Sequence, residues 1–156
     1  MLYICSLKNS FTIMSKIIKF NFEPDYDFML YAVVSAVKDF KFAWNINEAF
    51  EMDFCRAAEL ELNFANQDVK FISNFLYEYE YSLFRILKNK LISAEGENNG
   101  YLLPELRKFD YLIKIEGESI EEVSEGLPEK LKSLHCIQYF EKIKIENLKS
   151  KDNLLF

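Results

Sequence analysis

The stretch that decides the fold of this chain is YLLPELRKFDYLIKIEG, residues 101–117. Pro104 fixes its own φ at about −65° and keeps the preceding residue extended, so LPEL is expected to form one helical turn. From Phe109 the apolar pattern has a period of two, which is typical of a strand. One face carries Phe109, Tyr111, Ile113 and Ile115, and the other carries Asp110, Leu112 and Lys114. The sequence therefore predicts a turn set by proline that leads into a core strand.

The same stretch contains a candidate catalytic pair. Glu105 and Asp110 are close in sequence, and paired carboxylates can act in acid–base catalysis. In a regular strand, however, Asp110 and Tyr111 point to opposite faces and share a pocket only if a bulge intervenes. We favour the structural interpretation, in which Glu105 binds the amides of a helix start and Asp110 pairs with a neighbouring Lys or Arg. A catalytic role stays open as the lesser hypothesis.

Beyond Gly117 the chain is predicted to form a helix and then a strand. Ser119 and Glu122 make an S-x-x-E capping box. Apolar residues follow at helical spacing, at Ile120, Val123, Leu127, Leu131 and Leu134. Gly126 and Pro128 interrupt this pattern, so we expect a kink or two short helices. CIQYFEKIKI (136–145) closes as a strand, which gives a split β-α-β unit of the ferredoxin-like kind.

The first half of the chain is predicted to begin with a strand and two helices. Residues 1–13 differ from the rest, and MSKIIKFNF from Met14 alternates as a strand does, so we expect 1–13 to be an extension outside a single domain of residues 14–156. Residues 28–37 are apolar on nearly every face, which predicts a buried helix. A second helix begins at Asp39, with Phe40, Ala43, Trp44, Ile46, Ala49 and Phe50 facing inward.

The middle of the chain, residues 55–93, changes to short alternations rich in aromatic and β-branched residues, which indicates two or three antiparallel strands. YEYEYS (77–82) is expected at a hairpin tip or strand edge. Its glutamates would repel phosphates and disfavour the stacking of nucleobases. AEGENNG (94–100) is predicted to be a loop. The fold class is therefore α+β, with an N-terminal strand and helix pair, a central antiparallel sheet and a C-terminal split β-α-β unit.

Composition disfavours several classes of function. The 156 residues carry 25 acids and 19 bases, a net charge of −6, which disfavours nucleic-acid binding. The three cysteines form no CxxC pair, and no run approaches the roughly 20 apolar residues of a membrane span. We expect a cytoplasmic protein without a cofactor, a metal or a membrane partner. His135, the one histidine, is adjacent to Cys136, and neighbouring strand residues face opposite ways, which disfavours a Cys–His pair.

The C-terminus ends on Leu154, Leu155 and Phe156. Three apolar residues at a terminus either fold back onto the domain or dock into a groove of a partner protein. Both alternatives stay open from the sequence.

LPELRKFDY (103–111) resembles the signature of the IPExxxVDY family, small uncharacterised proteins of Bacteroidetes. Pro104, Glu105, Asp110 and Tyr111 match the signature, while Leu103 stands for its Ile and Phe109 for its Val. Residues 25–47, the IEG of 115–117 and the tail LKSKDNLLF (148–156) also look like family features, so the resemblance covers residues 14–156. It implies no activity, because the family has no established one.

Three functions are compatible with the sequence. The first is a non-enzymatic protein-interaction or regulatory domain, acting on an unknown protein partner or as a homodimer. The second is a small-ligand sensor with a crevice in the C-terminal β-α-β half, near Gly117 and Ser119. The third is an enzyme that uses Glu105 or Asp110.

Overall fold

The computed structural model describes residues 25–63, 69–95, 98–118 and 120–156. These ranges contain ten strands and three α-helices, and every strand pair is antiparallel, so the predicted α+β class is confirmed. The strand predicted after Met14, the extension of residues 1–13 and Ser119 of the capping box lie outside the described residues.

The larger sheet has six strands. In spatial order they are β10 (Tyr139–Ile143), β1 (Phe28–Val34), β9 (Tyr111–Gly117), β6 (Ser82–Lys88), β5 (Asn74–Tyr79) and β2 (Cys55–Arg56). The smaller sheet has four strands, in the order β3 (Leu60–Asn63), β4 (Val69–Ile72), β7 (Lys90–Ser93) and β8 (Asn98–Tyr101).

A bend in one long hairpin connects the two sheets. Ser73 alone separates β4 from β5, and Asn89 alone separates β6 from β7. The amide of Lys88 donates to the Ser73 carbonyl at 3.1 Å, so Ser73 lies opposite Lys88 and both single residues lie at the same corner. Strands that change sheets at such bends form the corners of packed sheets. The predicted antiparallel meander is confirmed, but it has six strands in two sheets, because single polar residues act as corners.

The structure confirms the predicted hairpin tip of the middle segment and corrects the predicted loop after it. YEYEYS forms the predicted hairpin tip, where Tyr79 pairs with Ser82 across a two-residue turn. The prediction of a loop over residues 94–100 was wrong at its end, because Asn98–Tyr101 pairs with β7 as strand β8. Composition indicates a loop there, but pairing to a neighbouring strand decides the conformation.

The C-terminal half forms the predicted split β-α-β unit. β9 and β10 both pair antiparallel with β1 and are therefore parallel to each other, with β1 between them. They are connected through α2 (Ile120–Ser124) and α3 (Leu127–Ser133), so the predicted break into two short helices is confirmed. Gly126 lies at the break with φ +83, a left-handed conformation that glycine adopts without strain.

The predicted N-terminal helix pair was wrong in its first member. Residues 28–34 form β1, which is buried on both faces of the large sheet. A strand covered on both faces is apolar throughout, and over a short run it cannot be distinguished by periodicity from a buried helix. The adjacent β-branched residues Val33 and Val34 favour the strand.

The second predicted helix is confirmed as α1 (Asp39–Phe50), although its orientation differs. Phe42, Ala43, Ile46 and Phe50 are buried, and Ala49 is half-buried against them. Phe40 and Trp44, predicted to face inward, are 61% and 57% exposed. The buried stripe includes Phe42, which the prediction had left out, and it therefore lies about half a turn away from Phe40 and Trp44.

The two faces of the large sheet form two cores. On one face α1 and α3 cover Tyr31, Val33, Tyr111, Ile113 and Ile115. On the other face the smaller sheet and the C-terminal residues cover Leu30, Ala32, Leu112 and Phe109. The predicted alternation is thus confirmed for β9. Phe109 was assigned to the wrong face, because it precedes the strand and belongs to the turn.

Candidate functional site

Asn89, at the corner between the sheets, holds the stretch that contains Pro104. Its side-chain amide donates to the carbonyls of Leu106 and Phe109, at 2.9 and 3.1 Å, and its Oδ1 accepts from the Leu103 amide at 3.0 Å. The residue is fully buried, so these bonds replace all contact with water. Sequence reasoning missed Asn89, because an asparagine inside NKL carries no motif signal.

The predicted turn has the predicted conformation. Leu103 is extended, with φ −121 and ψ 94, and Pro104–Leu106 forms one 3₁₀ turn. Glu105 points away from this turn toward the C-terminal segment, where its carboxylate accepts from the Ser150 amide at 2.8 Å. Partial burial pushes the pKa of Glu105 upward, but the hydrogen bond from the Ser150 amide and its neighbours outweighs this and lowers the pKa overall. Ser150 precedes the 3₁₀ turn Lys151–Leu154, so Glu105 binds a helix start, as predicted, in a different segment.

Asp110 and Tyr111 bind the same loop, between β1 and α1. Asp110 Oδ2 accepts from the Ser35 amide at 3.0 Å, and the Tyr111 hydroxyl donates to the Val37 carbonyl at 2.6 Å. Both residues line one cavity of about 220 Å³ with that loop. The prediction that they could not share a pocket was wrong, because Asp110 lies before the first residue of β9. Its predicted pairing with a Lys or Arg was also wrong, since a backbone amide takes that place.

Tyr111 is fixed further by its ring. It stacks on Phe42 of α1 with the centroids 4.3 Å apart and the planes within 6°. Burial, and next the charges of Asp39 and Asp110, raise the pKa of Tyr111 well above its usual range. Three of the four residues that match the signature thus bind two segments of backbone: Glu105 binds the C-terminal segment, and Asp110 and Tyr111 bind the loop after β1. The fourth, Pro104, begins the 3₁₀ turn. The two carboxylates are not brought together as an acid–base pair.

The C-terminal segment folds back onto the sheet. Leu154 is fully buried, and its carbonyl accepts a hydrogen bond from Lys114 Nζ at 2.7 Å. Lys114 is buried as well and forms an ion pair with Glu116 at 2.6 Å. Burial lowers the pKa of Lys114, and the bond to Glu116 opposes that shift. The sequence left open whether Leu154, Leu155 and Phe156 fold back or dock into a partner. Leu154 folds back, whereas Leu155 and Phe156 are 39% and 41% exposed.

His135 and Cys136 follow α3 at the start of the chain segment that leads into β10. His135 is exposed and Cys136 is half-buried. Burial raises the pKa of the Cys136 thiol, which disfavours the thiolate needed for nucleophilic attack. Among the described residues no group of three His, Cys, Asp or Glu side chains is placed to hold a metal ion.

The candidate site is a groove between α3 and β10, on the helix-covered face of the sheet. It has a volume of about 580 Å³, within the usual range for ligand-binding clefts. Its lining combines apolar and polar side chains, from Tyr31, Pro128, Lys132, Ile137, Gln138, Tyr139, Phe140, Glu141 and Lys142. We call it the β10 groove.

Tyr31 forms the floor of the β10 groove. Its side chain is only 3% exposed, and its hydroxyl makes no hydrogen bond to any residue that the structure describes. Burial and the nearby charge of Glu129 raise the pKa of Tyr31, so the hydroxyl keeps its proton at neutral pH. Sequence reasoning missed this residue, because it lay inside the predicted helix.

β10 is also the outermost strand of its sheet in the described part of the chain. An edge strand presents backbone N–H and C=O groups that no strand on its outer side pairs. The groove and this edge are contiguous, since residues 139–142 belong to both.

No family model matches the chain, and no curated protein and no solved structure matches it either. The resemblance of residues 103–111 to the IPExxxVDY signature therefore stays a prediction. None of the described helices has the length and apolar character required to cross a membrane.

Proposed function

We propose that this chain is a non-enzymatic protein-interaction domain that binds an extended segment of a partner along β10. The observation that carries the proposal is the combination of an outer strand with an adjoining groove of about 580 Å³. In this mode of recognition the added strand gains affinity from backbone hydrogen bonds, and side-chain pockets give specificity.

The surface of β10 supports this role. Tyr139 is 52% exposed and Phe140 is half-buried, so the strand offers apolar side chains beside its backbone edge. Aromatic residues are enriched at protein interfaces. Pro128 and Lys132 of α3 form the opposite wall, at a place where side chains of the added segment would enter.

The engagement of the reactive groups supports a non-enzymatic role. Glu105 and Asp110 each accept from a backbone amide, and Lys114 is held by Glu116 and the Leu154 carbonyl. Groups bound in this way stabilise the fold, which favours a structural role for them over a catalytic one.

A partner other than a second copy is favoured by the charges on β10. Glu141 is the central residue of β10. If the β10 strands of two copies paired antiparallel along their whole length, Glu141 of one copy would therefore lie opposite Glu141 of the other. Like charges directly opposite each other destabilise a strand pair. A homodimer through β10 is therefore the lesser alternative.

The small-ligand sensor was tied to a crevice near Gly117 and Ser119. The cavity beside Gly117, of about 610 Å³, is lined mainly by the carboxylates of Asp27, Glu118, Glu121 and Glu122. Such a lining repels anionic ligands and favours cationic ones. The β10 groove, with its mixed lining, supports recognition better.

Selection of displayed random dodecapeptides on the full chain, followed by amide hydrogen exchange, tests the proposal. Selected peptides should slow exchange at least tenfold at outward-facing amides of residues 139–143. Phe140→Glu should abolish their binding, whereas Tyr81→Glu at the hairpin tip, 77% exposed, should not. Thermal melting checks that both variants fold. Peptides that protect another element, or a selection without enrichment, would refute the proposal.

A further inference from the structure

We infer that the β10 groove selects an acidic side chain of the bound segment, whose carboxylate accepts a hydrogen bond from the Tyr31 hydroxyl between Lys132 and Lys142. This inference rests on the proposed function and adds the chemistry of the partner: an extended peptide with a Glu or Asp that points toward α3.

The unpartnered hydroxyl of Tyr31 is the first argument. The tyrosine ring is buried, but its hydroxyl oxygen is not one of the described side-chain atoms that are buried without a partner, so it reaches the groove and can bond a ligand there. Tyr111 shows what the same fold does with a hydroxyl that it uses for structure. That residue is equally buried on the same face, and its hydroxyl donates to the Val37 carbonyl at 2.6 Å. The Tyr31 hydroxyl instead opens into the groove.

Proton donation sets the chemistry of the ligand group. A tyrosine hydroxyl has an ordinary pKa of about 10, so at neutral pH it carries its proton and can donate it, and burial with the charge of Glu129 raises the pKa of Tyr31 further. Its best partner is an anionic oxygen, because hydrogen bonds to charged acceptors are about twice as strong as those between neutral groups.

The charges around the groove favour the same ligand. Lys132 and Lys142 line it, and neither forms an ion pair with a residue in the described ranges. Glu141 also lines it, but this carboxylate is already paired with Lys108 at 3.9 Å. Glu129 is close enough to act on Tyr31 but does not line the groove. The lining thus offers two unpaired cations against one paired anion.

Strand geometry places the acid within the partner's sequence. Tyr31 lies directly opposite Lys142 in the register of β1 and β10, so both side chains project from the same face, together with Phe140. A segment added beyond β10 sends every second side chain to that face. We therefore expect an acidic residue two positions away from an apolar one, with the apolar side chain against Phe140 and Ile137.

Competitive capture on the immobilised full chain tests the inference. The probes are two equimolar pools of synthetic heptapeptides with randomised flanks, identical except for Glu or Gln at the centre, and mass spectrometry counts what is retained. The wild type should enrich the Glu pool about tenfold, the contribution of one charge-assisted hydrogen bond. Tyr31→Phe, and separately Lys132→Gln with Lys142→Gln, should reduce the enrichment to near unity.

The controls separate folding, this inference and the proposed function. Tyr111→Phe should leave the Glu preference intact, and circular dichroism should show Tyr31→Phe folded. Equal capture of both pools by the wild type, or a Glu preference that survives Tyr31→Phe, overturns the inference. If the pools are captured equally and still protect β10 from exchange, only the inference fails. If a Glu preference depends on Tyr31 while β10 exchange is unchanged, strand addition fails. Capture of neither pool contradicts both.

Discussion

The loop after β1 and the β10 groove differ in whether their polar groups have partners within the protein. In the loop, residues 35–38, the Ser35 amide, the Ser35 hydroxyl and the Val37 carbonyl all have partners, respectively Asp110, the Cys136 carbonyl and Tyr111. In the groove, Tyr31 and two lysines have no hydrogen-bond or ion-pair partner among the described residues. Both regions are built on β1 and the strands that flank it.

This difference indicates that the polar groups of the loop stabilise the fold, whereas those of the groove are available to bind a partner. Removing a buried polar group that has a hydrogen-bond partner destabilises the fold, because the partner is left without a hydrogen bond. A hydroxyl that opens into a groove and has no protein partner, as in Tyr31, can be removed without that penalty. Substitutions that remove one polar group at a time therefore distinguish the two regions.

Asn89→Ala should cause the largest loss of stability. It removes three side-chain hydrogen bonds and leaves the Leu103 amide and the Phe109 carbonyl buried without partners, while the Leu106 carbonyl keeps its bond from the Phe109 amide. At roughly 1–3 kcal/mol for each unsatisfied group, partly relieved by relaxation, the free energy of unfolding should fall by about 4 kcal/mol. Urea denaturation followed by fluorescence measures this loss.

The matched control is Asn45→Ala on α1, where the side chain bonds only the Lys41 carbonyl of its own helix. Alanine is the better helix former, so this change should alter stability by less than about 1 kcal/mol. If both variants lost equal stability, the buried hydrogen bonds of Asn89 would stabilise the fold no more than the single bond that Asn45 makes within its own helix.

Asn89 also illustrates which parts of the fold can be predicted from the sequence and which cannot. The turn at Pro104, the alternation of β9 and the split β-α-β unit follow from local rules: the fixed φ of proline, the period of two, and helical spacing interrupted by Gly126 and Pro128. These rules act within a few residues, so one sequence suffices to apply them.

The parts that failed depend on contacts distant in sequence. β1 was predicted to be a helix because burial on both faces erases periodicity, and only its pairing with β9 and β10 decides the matter. A crevice in the C-terminal β-α-β half was among the hypotheses, but the residues that line the β10 groove were missed for the same reason. Tyr31, Phe140 and Lys132 come from three segments, and no spacing within one segment indicates that their side chains meet.

The second largest effect is expected at the C-terminus. Leu154→Ala empties a fully buried position on the face opposite the groove and should lower the free energy of unfolding by about 3 kcal/mol. Leu155→Ala, one residue further along and 39% exposed, should lower it by less than about 1 kcal/mol. Chemical denaturation of both variants sharpens the comparison. Equal, small losses would mean that the tail is not held, and would restore it as a docking segment.

The two tyrosines test the comparison directly. Tyr111→Phe leaves the Val37 carbonyl without its donor and should lower the free energy of unfolding by about 1–2 kcal/mol. Tyr31→Phe removes a hydroxyl that has no described partner, and should change stability by less than about 0.5 kcal/mol in either direction. Thermal and urea unfolding under identical conditions give both values. A loss of more than about 1 kcal/mol in Tyr31→Phe would show that its hydroxyl is structural.

The smallest effect, and the one that depends on pH, is expected for Glu105→Gln. The folded-state pKa of Glu105 is lowered, so its charge contributes stability above the unfolded value of about 4.3 and loses that contribution as the pH falls through the folded value. Because Glu105 is exposed, and glutamine still accepts from the Ser150 amide, the loss at pH 7 should be only about a few tenths of a kcal/mol. Urea denaturation at pH 7 and at about pH 3 should show variant and wild type converging at the lower pH.

The matched control for that convergence is Glu146→Gln, an exposed carboxylate in the same part of the chain, which should show none. Some acid sensitivity should remain in Glu105→Gln, because the pKa of Asp39 is lowered too: its partial burial raises the pKa, but hydrogen bonds from Ser73 and Phe40 outweigh that burial. A loss in Glu105→Gln that is equal at both pH values would mean that the charge of Glu105 does not hold the C-terminal segment. The buried Leu154 side chain and the bond from Lys114 to its carbonyl would then hold that segment without help from the charge.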